Sequence, residues 1–211
     1  MPATASSNLR NETSAKLLAL LVSGQIRAGR INESYLAGRM RVSRTPLREA
    51  LVSLESRGFV VSLDRGFAVP ALHAIEIRDI YPIIARLETL ALETAGLPDK
   101  TALSQLRRLN RTFRRSGVKC LAALDADNRF HAALLAHCPN ERLLKLIERQ
   151  KLLARRYELL YFRRAEFFAR SAEQHENISE LLSRGDVESA MEVLAYNWNC
   201  ALDLLLRFVR E

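Results

Sequence analysis

Apolar positions along the chain follow two rhythms, and the change between them falls near residue 70. From residue 76 onward they recur every three or four positions, the spacing of helices that each bury one face. Six helices are predicted there, at 76–96, 99–115, 118–137, 141–163, 167–183 and 187–209. Pro98-Asp99, Ser116-Gly117, Cys138-Pro139-Asn140 and Arg184-Gly185-Asp186 punctuate them. Ahead of residue 70 the periodic segments are shorter. Ala15–Ile26 has helical spacing, and Glu33–Met40 offers a second short helix after an Ala28-Gly29-Arg30 turn. A third helix starts around Ser43 and is expected to end at Gly58, a C-cap glycine. Phe59–Leu63 and Phe67–Val69 follow as short strands around Asp64-Arg65-Gly66, the pattern of a hairpin.

The third helix carries the most informative residues. In Ser43-Arg44-Thr45-Pro46-Leu47-Arg48-Glu49-Ala50-Leu51, Ser43 or Thr45 is placed to cap the first turn, where Pro46 is tolerated because early N–H groups have no acceptor within the helix. Leu47, Ala50, Leu51 and Leu54 share one face, which must pack inward. Arg44 stands at the positive end of the helix dipole, and Thr45 and Arg48 point away from the apolar face. A helix of this kind, preceded by two helices and followed by a hairpin with Arg65 at its tip, fits the winged helix-turn-helix, whose second motif helix enters the major groove. The fold class is therefore mainly α, a winged helix-turn-helix followed by an all-helical bundle. The expected divisions are a mobile arm at 1–11, the winged unit at 12–70, a linker at 71–75 and the helical unit at 76–211.

Gly29, Leu36-Ala37, Ser43 to Leu51, Leu54, Gly58 and Arg65-Gly66-Phe67 together resemble the N-terminal domain of GntR-family transcription regulators over about residues 12–70. The resemblance implies operator contacts from Arg44 and Arg48, with Ser43 and Thr45 beside them, and a wing contact in the minor groove from Arg65 and Gly66. Some relatives use a further arginine in the second helix; Ser34 stands there in this chain.

Charge agrees with a polyanionic partner. The chain of 211 residues has a net charge of +8, and residues 1–70 hold ten Lys/Arg against five Asp/Glu while the remainder holds twenty-two against nineteen. Basic charge drives salt-dependent binding without choosing a sequence. Cys120, Cys138 and Cys200 are isolated from one another, which argues against a disulfide framework or a cysteine zinc site and fits a reducing cytoplasm. Leu17–Val22 is too short for a signal peptide, and no apolar run reaches the length of a membrane span. The arginines at 107, 108, 111, 114 and 115 read as a solvated helix face, and the lone Trp198 as a packing residue at a domain or subunit contact.

The helical half places polar residues in the middle of apolar stripes. Cys120, Ala123, Leu124, Phe130, Leu134 and Cys138 form one stripe, with Asp127 at its centre and His131 one turn later. His175 shares a face with Phe168, Ala172, Ile178 and Leu182, and Asn197 lies among Ala190, Val193, Leu194, Ala201, Leu204 and Phe208. Burying an unpaired carboxylate costs several kcal/mol, so these groups must meet one another, a metal or a polar ligand. Asp and His at i and i+4 can reach one ion, and a second imidazole would complete a facial set suited to Zn, Ni, Mn or Fe. A metal-free hydrogen-bond network of the same residues is the alternative.

This half resembles the FCD domain of the FadR-type branch of the GntR family, through Leu87-Glu88, Asp127-x-x-x-His131, Asn140, His175 and Gly185-Asp186 with Ala190. The resemblance implies a small-molecule effector, an organic acid among the candidates, and in some members a metal held by one Asp and three His. Asp127, His131 and His175 match that set, the fourth position falls on Asn197, and Ile84 stands where many relatives have an arginine. The expectation is a cytoplasmic, homodimeric, effector-responsive regulator of double-stranded operator DNA that is not an enzyme and has no membrane contact. The rivals are a metal-dependent enzyme using Asp127, His131 and His175, and an adaptor using its wing for protein contacts.

Overall fold

The computed structural model describes residues 3–22, 25–117 and 120–209, with side chains at 11–21, 25–117 and 121–209. The chain divides into two compact units, Met1–Ala71 and Leu72–Glu211.

In the first unit, α1 (Ala3–Val22) packs on α3 (Arg44–Glu55), and α2 (Glu33–Met40) also lies against α3. The first helix reaches back to Ala3, where an arm over 1–11 is expected, because no Gly or Pro interrupts Ala3–Val22. Leu17, Leu18, Leu36, Leu47, Ala50, Leu51, Leu54, Phe59, Val60 and Phe67 form the core. Gly29–Arg30, expected as a turn, is strand β1; β2 (Val61–Ser62) and β3 (Phe67–Val69) complete an antiparallel sheet in the order β1-β3-β2. Gly29 pairs with Val69 and Val61 with Ala68, so β3 is the central strand and the wing is tied down on both edges. The α3 helix stops at Glu55 with Ser56 as its cap, and Gly58, at φ 75°, turns the chain three residues later than the helix end.

The second unit consists, among the described residues, of α4 (Ala74–Ala95), α5 (Lys100–Ser116), α6 (Cys120–Leu134), α7 (Glu141–Tyr161), α8 (Ala165–Ser183) and α9 (Val187–Leu205). Each expected helix is present. Asp99, Asn140 and Asp186 cap α5, α7 and α9 by accepting a backbone N–H three residues on. The helix α6 closes at Leu134, three residues early, in a turn through Leu135–His137. The side chain of Cys120 lies outside those described, so its place on the α6 stripe is untested. The α4 helix packs on α7 and α9, α8 packs on α5 and α9, and α5 on α6, so the inward faces of α4, α6, α7, α8 and α9 share one interior. No helix among the described residues is long and apolar enough to cross a membrane.

Candidate functional site

The turn between α2 and α3 is short because Arg41 adopts a left-handed conformation, φ 56°, and its N–H returns to the carbonyls of Ala37 and Gly38. Asn32 caps α2 through a 3.0 Å bond from the Tyr35 N–H. Ser43 occupies the N-cap position of α3 in an extended conformation, but its hydroxyl makes no capping bond. The expected cap by Ser43 or Thr45 is therefore absent: Thr45 lies inside the first turn, and the exposed Ser43 hydroxyl and first-turn N–H groups remain able to meet a phosphate.

Both arginines of α3 are exposed and each is tied to α2, Arg44 through one terminal nitrogen and Arg48 through its inner Nε. Arg44 donates to Ser34 Oγ at 2.6 Å, and Arg48 Nε donates to Glu33 Oε2 at 2.9 Å. Glu33 is the more buried partner, 18% exposed against 62% for Arg48, so the carboxylate fixes the direction of the guanidinium. With Nε engaged, the terminal nitrogens of Arg48 are left for a groove, the fork that matches a guanine edge or a phosphate. Ser34, read as a missing contact because it replaces an arginine, acts here as a support for Arg44. At the wing, Arg65 is exposed, and its carbonyl accepts from Arg30 at 2.8 Å. Arg44, Arg48, Arg65 and Gly66 line one open groove of about 490 Å³, with Glu33 and Ser34 at its base. Ser43, Thr45, Arg44, Arg48 and Arg65 are all solvent-exposed, and Gly66 half-buried.

The second cluster is buried in the helical unit. Asp127 and His131 on α6 and His175 on α8 bring ligand atoms to within 4.8 Å of one another. His131 Nε2 lies 3.8 Å from Asp127 Oδ2, and His175 Nε2 lies 3.4 Å from Asp127 Oδ1, close enough to feel the charge but not aligned as a hydrogen bond. His131 Nδ1 is 2.6 Å from Glu88 Oε2 on α4, an arrangement that orients the ring and leaves Nε2 facing Asp127. The Phe130 ring stacks on His175 at 3.9 Å. Burial, then the charges of His131, Lys151 and Arg114, hold the His175 imidazole well below its usual range and therefore neutral. Burial pushes Asp127 upward against the pull of His131 and Lys151.

This donor set fits a divalent cation. Both nitrogens of His175 lack a hydrogen-bond partner although the residue is fully buried, and a neutral imidazole is the form that binds metal. Ligands at about 2.1 Å from a shared ion stand about 3–3.5 Å apart, so only small side-chain movements separate the observed spacing from coordination. Asn197 on α9 is buried nearby in sequence to Trp198, and its amide donates to Gln174 Oε1 at 2.6 Å, which ties α9 to the residue preceding His175.

Several members of this cluster escape the sequence reading. Trp198 is not at a subunit or domain edge: it is 3% exposed, donates to Glu88 Oε2 at 2.8 Å and lies edge-on to Tyr81. Lys151 on α7 is buried, 3.3 Å from Glu88 Oε1 and 5.1 Å from the Trp198 ring. Burial raises the cost of the Glu88 charge, but His131, Lys151 and the two hydrogen bonds outweigh it, so the carboxyl is held well below its usual range. The signal for Lys151 and Glu158 is visible in retrospect: Leu143, Ile147, Lys151, Ala154, Glu158 and Tyr161 follow helical spacing on one buried face.

Residues 79–198 match the FCD domain family, and residues 9–69 match the family of bacterial regulatory proteins called gntR. The Nta operon transcriptional regulator of Aminobacter aminovorans is 34% identical over 182 residues, covering 84% of this chain and 85% of that protein. The uncharacterized HTH-type transcriptional regulator YdhC of Bacillus subtilis is 32% identical over 88% of this chain and 86% of its own length. The solved structure of E. coli McbR/YncC, 21% identical, superposes with a TM-score of 0.69 over 94% of this chain and 97% of that one, a likeness of fold.

Proposed function

The chain belongs to the GntR family of bacterial regulatory proteins and is a transcription regulator with an FCD domain, not an enzyme, and on that premise we propose how it reads DNA and is controlled. Arg44 and Arg48 contact guanine edges or phosphates from the first turns of α3 in the major groove, Ser43 and Thr45 meet the backbone, and Arg65 and Gly66 place the wing in the minor groove. The observation that carries this reading is the pair of exposed arginines at the start of α3, Arg48 with its Nε held by Glu33 and both terminal nitrogens turned to solvent, Arg44 with one terminal nitrogen on Ser34 and the rest of its fork open. Two copies bind a pseudo-palindrome, with α3 of each in successive major grooves. A homodimer through the helical unit is supported by apolar residues left exposed at seven-residue intervals, Ile83 and Leu90 on α4 and Leu146 and Leu153 on α7.

A cytoplasmic small-molecule effector binds at the buried cluster of the helical unit. Asp127, His131 and His175, with the carbonyl of Asn197 as a fourth donor, hold a divalent cation, which would supply a positive centre for an electron-rich atom of the effector. To regulate, the effector must bind the DNA-competent and DNA-incompetent forms with different affinity. Titrating the protein against DNA from upstream of its own gene tests the first half of this reading. Binding should weaken steeply as salt rises, and salt-independent binding would refute phosphate contact and favour the adaptor reading. Metal analysis of wild type against His175→Ala tests the second half, with loss of one bound equivalent expected.

A further inference from the structure

Glu158 has no role in the site described so far. It is 5% exposed, and neither carboxylate oxygen has a hydrogen-bond partner. Leaving a buried acceptor unsatisfied destabilises a fold, and doing so with a carboxylate is costlier still. The residue is not simply misplaced at an edge of the core. It lies on the face of α7 that carries Lys151 and Ala154, and the field of Asp127 reaches it while its own field reaches Tyr81. The same interior holds other buried polar atoms without partners, the Tyr81 hydroxyl and Gln174 Nε2.

The charge inventory points in one direction. Among the described residues the buried carboxylates of this unit are Glu88, Asp127 and Glu158, and the buried lysine is Lys151, which is already against Glu88. Lys151 and Glu158 are seven residues apart, about 10 Å along the helix axis; Lys151 donates to Glu88, and although its field and those of His131 and Arg155 reach Glu158, none of them gives it a hydrogen bond. The α4 face turned to this interior adds Tyr81, Ile84 and Glu88 and no cation. A divalent ion at Asp127, His131 and His175 would bring the sum to neutrality without giving Glu158 a donor. An effector with only carboxylates would meet Glu158 as a like charge at low dielectric.

We propose that the effector carries a protonated amine or comparable N–H donor group that Glu158 accepts, so that the site selects an amino compound, zwitterionic or cationic, over a simple organic acid. The inference rests on the reading of the helical unit as the effector site. Burial pushes the Glu158 carboxyl up to about 7, with Lys151 opposing and Asp127 adding to the shift, as expected of an acid that lacks its counter-charge.

The test uses the full-length protein and its Glu158→Gln variant. Thermal shift and calorimetry compare short ω-amino acids and diamines with dicarboxylic acids of matched length. The expected result has three parts: members of the amine series stabilise the wild type, matched diacids do not, and Glu158→Gln weakens amine binding by at least about tenfold. Without any compound, and at a pH above 7 where the wild-type carboxyl carries its charge, Glu158→Gln should match or exceed the wild-type Tm, because no partner is lost and a buried charge is removed. A lower Tm for ligand-free Glu158→Gln would overturn the proposal by making Glu158 a structural partner. Binding of diacids alone, equal in both proteins, would overturn it too and leave the effector site standing. No binding by either series, together with an operator complex that no compound disturbs, would count against both.

Discussion

In the winged unit the buried polar residues among those described are Thr13 and Ser14, and every arginine proposed to touch DNA is on the surface. In the helical unit eleven polar residues are buried, including three carboxylates, a lysine and two histidines. The first unit can thus change what it reads without disturbing what folds it. The second cannot, since each side chain proposed to face the ligand is also part of the core, where an unmatched group acts against stability.

That contrast can be broken most sharply at Glu88. Replacing it with Ala removes the acceptor of His131, Lys151 and Trp198 and leaves a buried ammonium, so a stability loss of about 3–5 kcal/mol is expected in denaturant unfolding of the helical unit. A loss below about 1 kcal/mol would mean that the cluster does not hold the core together. Next in size is Leu51→Ala in the apolar core of the winged unit, with an expected cost of about 2–5 kcal/mol and weaker DNA binding only through unfolding. Arg48→Ala should leave Tm unchanged and weaken specific operator binding by about 1–3 kcal/mol in a shift assay. A fall in Tm comparable to that of Leu51→Ala would erase the separation of reading from folding. The cap variant Asn32→Ala is the smallest, about 1 kcal/mol of stability, and should alter DNA affinity little at temperatures where the unit is folded.

Acidity provides a further handle on the helical unit. Glu158 holds its proton to about pH 7 when folded, against 4.5 for an ordinary glutamate, so the folded state binds more protons over that interval. Stability therefore falls as pH rises from about 4.5 to 7, by an amount on the order of a few kcal/mol, and levels off above. Glu158→Gln should lose that component, and the difference between the two unfolding curves across pH isolates it from Asp127 and Glu88. Parallel curves would mean the carboxyl is ionised and matched in the folded protein.

The six helices of the second unit are legible because their apolar residues recur at helical spacing, and three are capped by side chains that declare their starts. The metal-type triad was legible for the same reason: a polar residue on an apolar stripe is conspicuous. Lys151 and Glu158 were not singled out because α7 is rich in charge, and two more charged residues pass as part of its solvent face unless the spacing is traced. Trp198 belongs to the core and not to an edge because α9 packs on both α4 and α8, so its buried arc takes in adjacent residues, Asn197 and Trp198, where one stripe admits only one of them. Strand β1 escaped notice because it has two residues, both exposed, and owes its conformation to pairing with β3. Tertiary partners decide such elements, and no local pattern announces them.

Gly66 carries a consequence for the residue that supports Arg48. A Cβ at this position would stand 3.0 Å from Glu33 Oε1, and the backbone there has φ 85°. Glu33 is the residue that aims Arg48. A side chain at position 66 would be strained by that backbone and would press on the other oxygen of the carboxylate that holds Arg48. The glycine at the wing tip thus reserves the space that the supporting carboxylate of Arg48 occupies, and the hairpin and α2 constrain each other through a single missing methyl.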